Sequence, residues 1–201
     1  MATHLRFMLA ICATIALLAG TLAAAPGGQG GGGRQAGGGR GPQGPVAATL
    51  SGDVQSDLER TRELIINLVD AMPEDKFSFR STPAQRTFGE HAMHIVQVDG
   101  FLFAALGGKT PAPAVNEKAT TKAEILAALR QSYAWQETLV KEFNDQQLVE
   151  RITPPAFLGS SASRLKVFYY DLQHTQDTYG QMVVYLRLNG VTPPASRRGG
   201  V

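Results

Sequence analysis

Three histidines and one carboxylate in this chain have the types and spacing for metal or acid–base chemistry: His91, His94, His174 and Asp177. His91 and His94 stand three residues apart within one apolar-periodic run. Successive helical residues turn by ~100°, so these two rings diverge by ~60° and cannot both point straight inward. Met93, Phe101 and Leu102 outline the apolar face of that run, which places His94 closer to it than His91. His174 lies in a second run, followed three residues on by Asp177 and four residues on by Thr178. Those spacings put all three on one side of a helix. His94, His174 and Asp177 would form a two-histidine, one-carboxylate set with open positions for water or substrate. A threonine hydroxyl is a poor zinc ligand beside imidazole or carboxylate. The same histidines, His94 and His174, can instead hydrogen-bond each other in a polar pocket of the core, and the residue types alone leave both arrangements open.

The elements that must position these residues are four helices. The first covers about 51–71, where Leu58, Leu64, Ile65, Leu68, Val69 and Met72 follow a 3.6-residue period until Pro73 closes it. Phe77 and Phe79 then alternate with polar neighbours, a pattern suited to pinning a connector onto a bundle. The second helix starts at Thr87, where Thr87-Phe-Gly-Glu90 fits a capping box, and ends near Leu106 before Gly107-Gly108. A crossing loop with Pro111 and Pro113 follows. The third begins at a second capping box, Thr121-Lys-Ala-Glu124, and ends at Asn144-Asp145. Tyr133 and Trp135 flank its apolar face. The fourth runs from about Ser161 to Asn189, with Gly190 as C′ residue and Pro193-Pro194 preventing continuation. Gly180 inside it predicts a close approach of a neighbouring helix, which would offset a cost of roughly 1 kcal/mol in propensity. No strand alternation and no tandem repeat is evident. The expected fold class is all-α, an antiparallel four-helix bundle. Its connecting loops, roughly 10–16 residues, are longer than the usual ~2–8 and predict segments lying over one end.

Several of these segments resemble the DinB-like family of four-helix bundles. The segment Thr87-Phe-Gly-Glu-His-Ala-Met-His94-Ile resembles the second-helix motif of that family. Ala71-Met-Pro73-Glu-Asp-Lys-Phe77, Leu106-Gly107-Gly108 and Tyr179-Gly180-Gln181 through Pro193-Pro194 extend the match to about residues 50–197. The resemblance implies a divalent metal, zinc or nickel, held by three histidines. His94 and His174 match two of those positions, and Thr178 stands where the third histidine would be. It also implies metal-dependent thiol transferase or isomerase chemistry, an acidic residue at the position of Asp177 that orients a neighbouring ligand, and frequent homodimers.

The flanks bear on location. Residues 1–25 read as a secretory signal peptide: Arg6 precedes the apolar run Phe7–Leu18, and small residues follow at Ala23 to Ala25. That run falls short of the ~20 residues of a spanning helix, so no membrane span is expected after cleavage. Residues 26–46 are Gly-rich and read as a flexible linker, 47–197 as the bundle, and 198–201 as a disordered tail. Cys12, the only cysteine, lies in the signal, so the mature chain offers no thiolate ligand, disulfide or cysteine nucleophile. Nineteen basic against 17 acidic residues, with no basic run, argue against a nucleic-acid partner. Phosphate loops, Gly-x-Ser-x-Gly elbows and His-Glu-x-x-His motifs are absent from the sequence. The expectation is therefore an exported protein, periplasmic or extracellular, with one of two functions. One is a small-molecule binding or interaction module with a vestigial or altered divalent-metal site, possible without any cofactor. The other is a metal-dependent hydrolase or thiol S-transferase-like enzyme using His94, His174 and Asp177.

Overall fold

The computed structural model describes residues 49–197. The expected signal peptide (1–25), Gly-rich linker (26–46) and C-terminal tail (198–201) lie outside the described residues. Among the described residues four long helices carry the fold: α1 (Leu50–Ala71), α2 (Phe88–Ala104), α3 (Lys122–Val140) and, after the five-residue α4 (Asp145–Val149), α5 (Arg164–Leu188). A two-residue antiparallel pair, β1 (Arg151–Ile152) with β2 (Ala162–Ser163), ties the connector between α4 and α5. Sequence alternation did not signal it, because two residues are too few for a period.

Both expected capping boxes form. Glu90 Oε2 accepts from the Thr87 amide at 2.7 Å while Thr87 Oγ1 accepts from the Glu90 amide at 3.2 Å. Thr121 and Glu124 repeat the arrangement on α3. Asn144 does more than end the third helix: it is the N-cap of α4, boxed with Gln147. Asparagine suits both a helix stop and a helix start, which is why α4 was not legible. Gly190 adopts φ 73° after α5, and the Val191 and Gly190 amides bond the Leu186 and Arg187 carbonyls at 2.9 and 3.0 Å. That is the paired closure in which a glycine accepts the left-handed conformation.

The packing corrects the expectation of an antiparallel bundle. α1 packs on α3 and α5, and α2 packs on the same two helices, so α1 and α2 stand diagonally opposed. Along α2 from His91 to Phe103, the partners on α5 run backward from Tyr185 to Phe168, so this pair is antiparallel. Along α2 from Gly89 to Phe103, the partners on α3 run forward from Ile125 to Trp135, so this pair is parallel. A parallel neighbour requires the chain to return the length of the bundle. The α2–α3 segment, residues 105–121, can span roughly 55 Å extended, against about 25 Å for α2 itself. The loops are long because two of them cross diagonally and one travels back.

The core is continuous, with Ile65, Leu68, Met72, Phe88, Ile95, Leu102, Leu129, Tyr133 and Leu186 fully or almost fully buried. Trp135 is a core anchor as expected, its indole N–H donating to the Thr110 carbonyl at 3.0 Å. Phe77 and Phe79 do pin the connector, edge-on against Phe88 and Tyr185. Two expectations fail. Phe101 is 58% exposed and stacks with Phe157 outside the bundle. Gly180 is exposed, and an added Cβ would meet nothing within 4 Å. The close approach is at Gly108 instead, where a Cβ would collide with Leu139.

Candidate functional site

The 72–87 connector lies across the end of the bundle where α2 and α3 begin and α5 ends. It is held tightly there: the Phe88 and Gly89 amides donate to the Phe79 and Phe77 carbonyls, both at 2.9 Å. The Tyr185 hydroxyl donates to the Arg86 carbonyl at 2.8 Å. Between this connector and residues 117–120 of the returning loop is a cavity of about 730 Å³. Met93, His94 and Gln97 of α2 form one side of it.

His94 on α2 and His174 on α5 meet at this end, their Nε2 atoms 3.1 Å apart and their rings edge to face. One imidazole donates and the other accepts, so the pair is neutral. Electrostatics agree. Burial first, then the Arg86 charge, pushes His94 down to about 4, and the same two causes lower His174, partly opposed by Asp177. The Nδ1 of His174 is buried without a partner. An unpaired buried N–H is costlier than an unpaired acceptor lone pair. We therefore assign the shared proton to His174 Nε2, donating to His94, with the other N–H on His94 Nδ1, on the ring that lines the cavity.

Asp177 is not gathered into this pair. It is exposed and accepts from Gln181 Nε2 at 2.8 Å. Its charge still favours protonation of His174 and His91, so it lies near them without facing them. Thr178 is buried, and its hydroxyl donates back to the His174 carbonyl at 3.1 Å. His91 is the opposite of its expected placement. It is 2% exposed, packed edge-on against Tyr185 with Nε2 unpartnered, while His94 is only half-buried. The connector and Tyr185 cover the start of α2 on the His91 side, which no apolar count along α2 reveals.

A family-type metal can be tested against these residues. Two nitrogens bound to one tetrahedral ion at ~2.05 Å sit about 3.3 Å apart, so the Nε2 separation suits a pair of ligands. The rest of the set does not fit. The Thr178 hydroxyl is committed to its own helix, and Asp177 is committed to Gln181. His174 Nδ1 lacks the outer hydrogen bond that orients nearly every metal-bound imidazole. Among the described residues no three histidine, cysteine or acidic side chains cluster as a ligand set.

Deeper in the bundle is a polar cluster that the sequence reading missed. Asp99 of α2 is 1% exposed and accepts from Gln136 Nε2 at 3.2 Å and Thr175 Oγ1 at 3.2 Å. Asp171 of α5, also buried, stands against Asp99, where a hydrogen bond between the two carboxyls requires a shared proton, and its Oδ1 is unpartnered. Burial pushes Asp99 up to about 7 against its hydrogen bonds, and burial with the neighbouring Asp99 charge pushes Asp171 well up. Asp171, Thr175, Thr178 and Met182 make one buried stripe of α5. Polar residues at core spacing were the available signal, and counting only apolar residues skips them.

Comparison with known proteins places the bundle. A sequence profile of the DinB superfamily matches residues 57–182. The chain belongs to the DinB superfamily. It is 26% identical over 129 residues to the uncharacterized protein YrdA of Bacillus subtilis (strain 168), covering 63% of this chain and 75% of that one. Its fold is similar to a DinB-like protein from Bacillus cereus ATCC 10987, with TM-score 0.62, 23% identity, and coverage of 73% and 96% of the two chains. It is also similar to YfiT from Bacillus subtilis, with TM-score 0.57, 14% identity, and coverage of 75% and 94%. YfiT is described as a probable metal-dependent hydrolase with an unusual four-helix bundle topology. At these identities the solved relatives establish the fold alone. An up-down-down-up order with diagonal crossings is unusual in the same broad sense.

Proposed function

We propose that this chain is a small-molecule binding module of the cell envelope, built on a DinB-superfamily bundle whose divalent-metal site is altered. The observation that carries the reading is the neutral His94–His174 pair, 3.1 Å apart beside a cavity of about 730 Å³, with the Thr178 hydroxyl bonded back to the His174 carbonyl. Such a pair presents the His94 ring to the cavity without holding an ion. The envelope location rests on the signal-like residues 1–25 and the Gly-rich spacer after them.

One observation favours a second reading: the Nε2 separation matches an edge of a metal tetrahedron, and YfiT is described as a probable metal-dependent hydrolase. In that reading Asp177 leaves Gln181 to become the third ligand, and the chain is a hydrolase or thiol S-transferase-like enzyme. Metal analysis separates the two. The full chain and its Thr178→His variant are loaded with zinc or nickel, dialysed and measured by mass spectrometry, with circular dichroism to verify folding. The wild type should retain well under one ion per chain, and the variant about one. One-to-one retention by the wild type would overturn the binding-module reading.

A further inference from the structure

The cavity beside His94 carries an excess of unpaired positive charge. Arg80, Arg86 and Lys118 line it against Glu90 and Glu117. Glu90 is already committed, since it accepts from the Thr87 amide at 2.7 Å and stands 4.0 Å from Arg80. Among the described residues Arg86, Lys118 and Glu117 make no ion pair, which leaves the unpaired charge of the lining positive by one. Arg86 is also fixed at its base. Its carbonyl is held by Tyr185, whose ring packs on His91 and Phe79, so the guanidinium is presented from a rigid stretch of backbone. Unpaired cations at the rim leave an anion as the complementary guest. Phe77, Met93 and Ile125 give the cavity an apolar patch within a lining that also includes Ser78, Gln85, Gln97 and Thr120.

We propose that this cavity binds an amphipathic organic anion, its carboxylate on the Arg86 guanidinium and its apolar body against Met93 and Ile125, next to the His94–His174 pair. A guanidinium offers two parallel N–H groups to a carboxylate, which gives orientation as well as affinity. Lys118 across the mouth adds charge without fixed geometry. The His94 ring then lies beside the body of the ligand. This inference rests on the binding-module reading and narrows its ligand class.

The test uses the full chain in metal-free buffer with EDTA. The probes are 4-phenylbutyrate, its neutral amide 4-phenylbutyramide and phenyl phosphate, followed by ligand-observed NMR and by the His94 ring signals. A probe of this size should bind with Kd on the order of 1 mM or tighter. The acid is expected to bind at least about tenfold tighter than the amide, to shift the His94 signals, and to weaken with added salt. Arg86→Ala should abolish that preference, whereas Arg130→Ala, an exposed arginine away from the cavity, should leave it intact. Equal binding of acid and amide, indifference to Arg86→Ala, or no saturable carboxylate binding would each overturn the proposal. Phenyl phosphate binding in place of the carboxylate would overturn the assignment to a carboxylate. Amide binding without charge preference would leave the binding module standing while removing the anion. Metal retention in the separate loading experiment would fail the module and not this charge test.

Discussion

Asp171→Asn should stabilise the fold at neutral and alkaline pH while doing little in acid. Asp99 and Asp171 are both raised in the fold, chiefly by burial, with Asp99 pushed up to about 7. A carboxyl raised on folding contributes stability that is fully present below its unfolded pKa, near 3.8, and is lost as pH rises through its folded pKa. A tenfold change in proton affinity is worth about 1.4 kcal/mol, so Asp99 alone would forfeit about 4 kcal/mol between pH 4 and 7 as an upper figure. Asp171 adds to the loss over the same window, because folding obliges it to hold a proton that water would remove. Asparagine at 171 is neutral at every pH, has nearly the same shape, and keeps an N–H to donate to Asp99. Urea unfolding followed by circular dichroism at pH 5 and pH 7.5 measures the effect. Relative to wild type, the variant should gain at least about 1.4 kcal/mol on going from the lower to the higher pH. Wild type should itself lose stability over that interval. A difference between variant and wild type that is unchanged by pH would refute the protonated pair.

Three further substitutions test other parts of the structure. Tyr133→Phe removes a hydroxyl that is buried without a partner, so stability should hold or rise by up to about 1 kcal/mol on thermal or urea unfolding. Gly180→Ala, on an exposed face of α5 with nothing within 4 Å, should stabilise by about 1 kcal/mol in the same assay. Gly108→Ala should do the reverse, costing roughly 1–3 kcal/mol, because the new methyl collides with Leu139, which is 1% exposed.

The helices were legible because their ends carry unambiguous chemistry. Thr87 with Glu90, Thr121 with Glu124, and Gly190 are local signals, and each forms as the spacing predicts. The order of helices around the bundle was not legible, since an apolar stripe says that a face is buried and not by which neighbour. The long loops were the one hint. They indicate that successive helices are not simple hairpin neighbours, yet they do not say whether the chain crosses diagonally or returns to run parallel. The glycines show the same limit. Gly180 and Gly108 look alike in sequence, and only the placement of α3 beside Gly108 decides which of them a side chain would disturb.

The site divides along the same line. A His94–His174 hydrogen bond was one of two arrangements the sequence left open, and the two rings meet at 3.1 Å. Whether Asp177 joins them depends on a choice between two local partners: Gln181 lies one helical turn along the same helix and needs no rearrangement to reach it. A local hydrogen bond at i+4 costs little ordering entropy, whereas a ligand set drawn from two helices requires both to be placed first. Thr178 makes the same local choice by bonding back to the His174 carbonyl. A histidine at 178 could not do so easily, because its ring nitrogens stand farther from the helix backbone than a threonine hydroxyl. The substitution at this single position thus changes which interactions are local. Two imidazoles at ligand distance therefore stand without a third donor among the described residues, and on the proposed reading Thr178→His supplies one without refolding the scaffold.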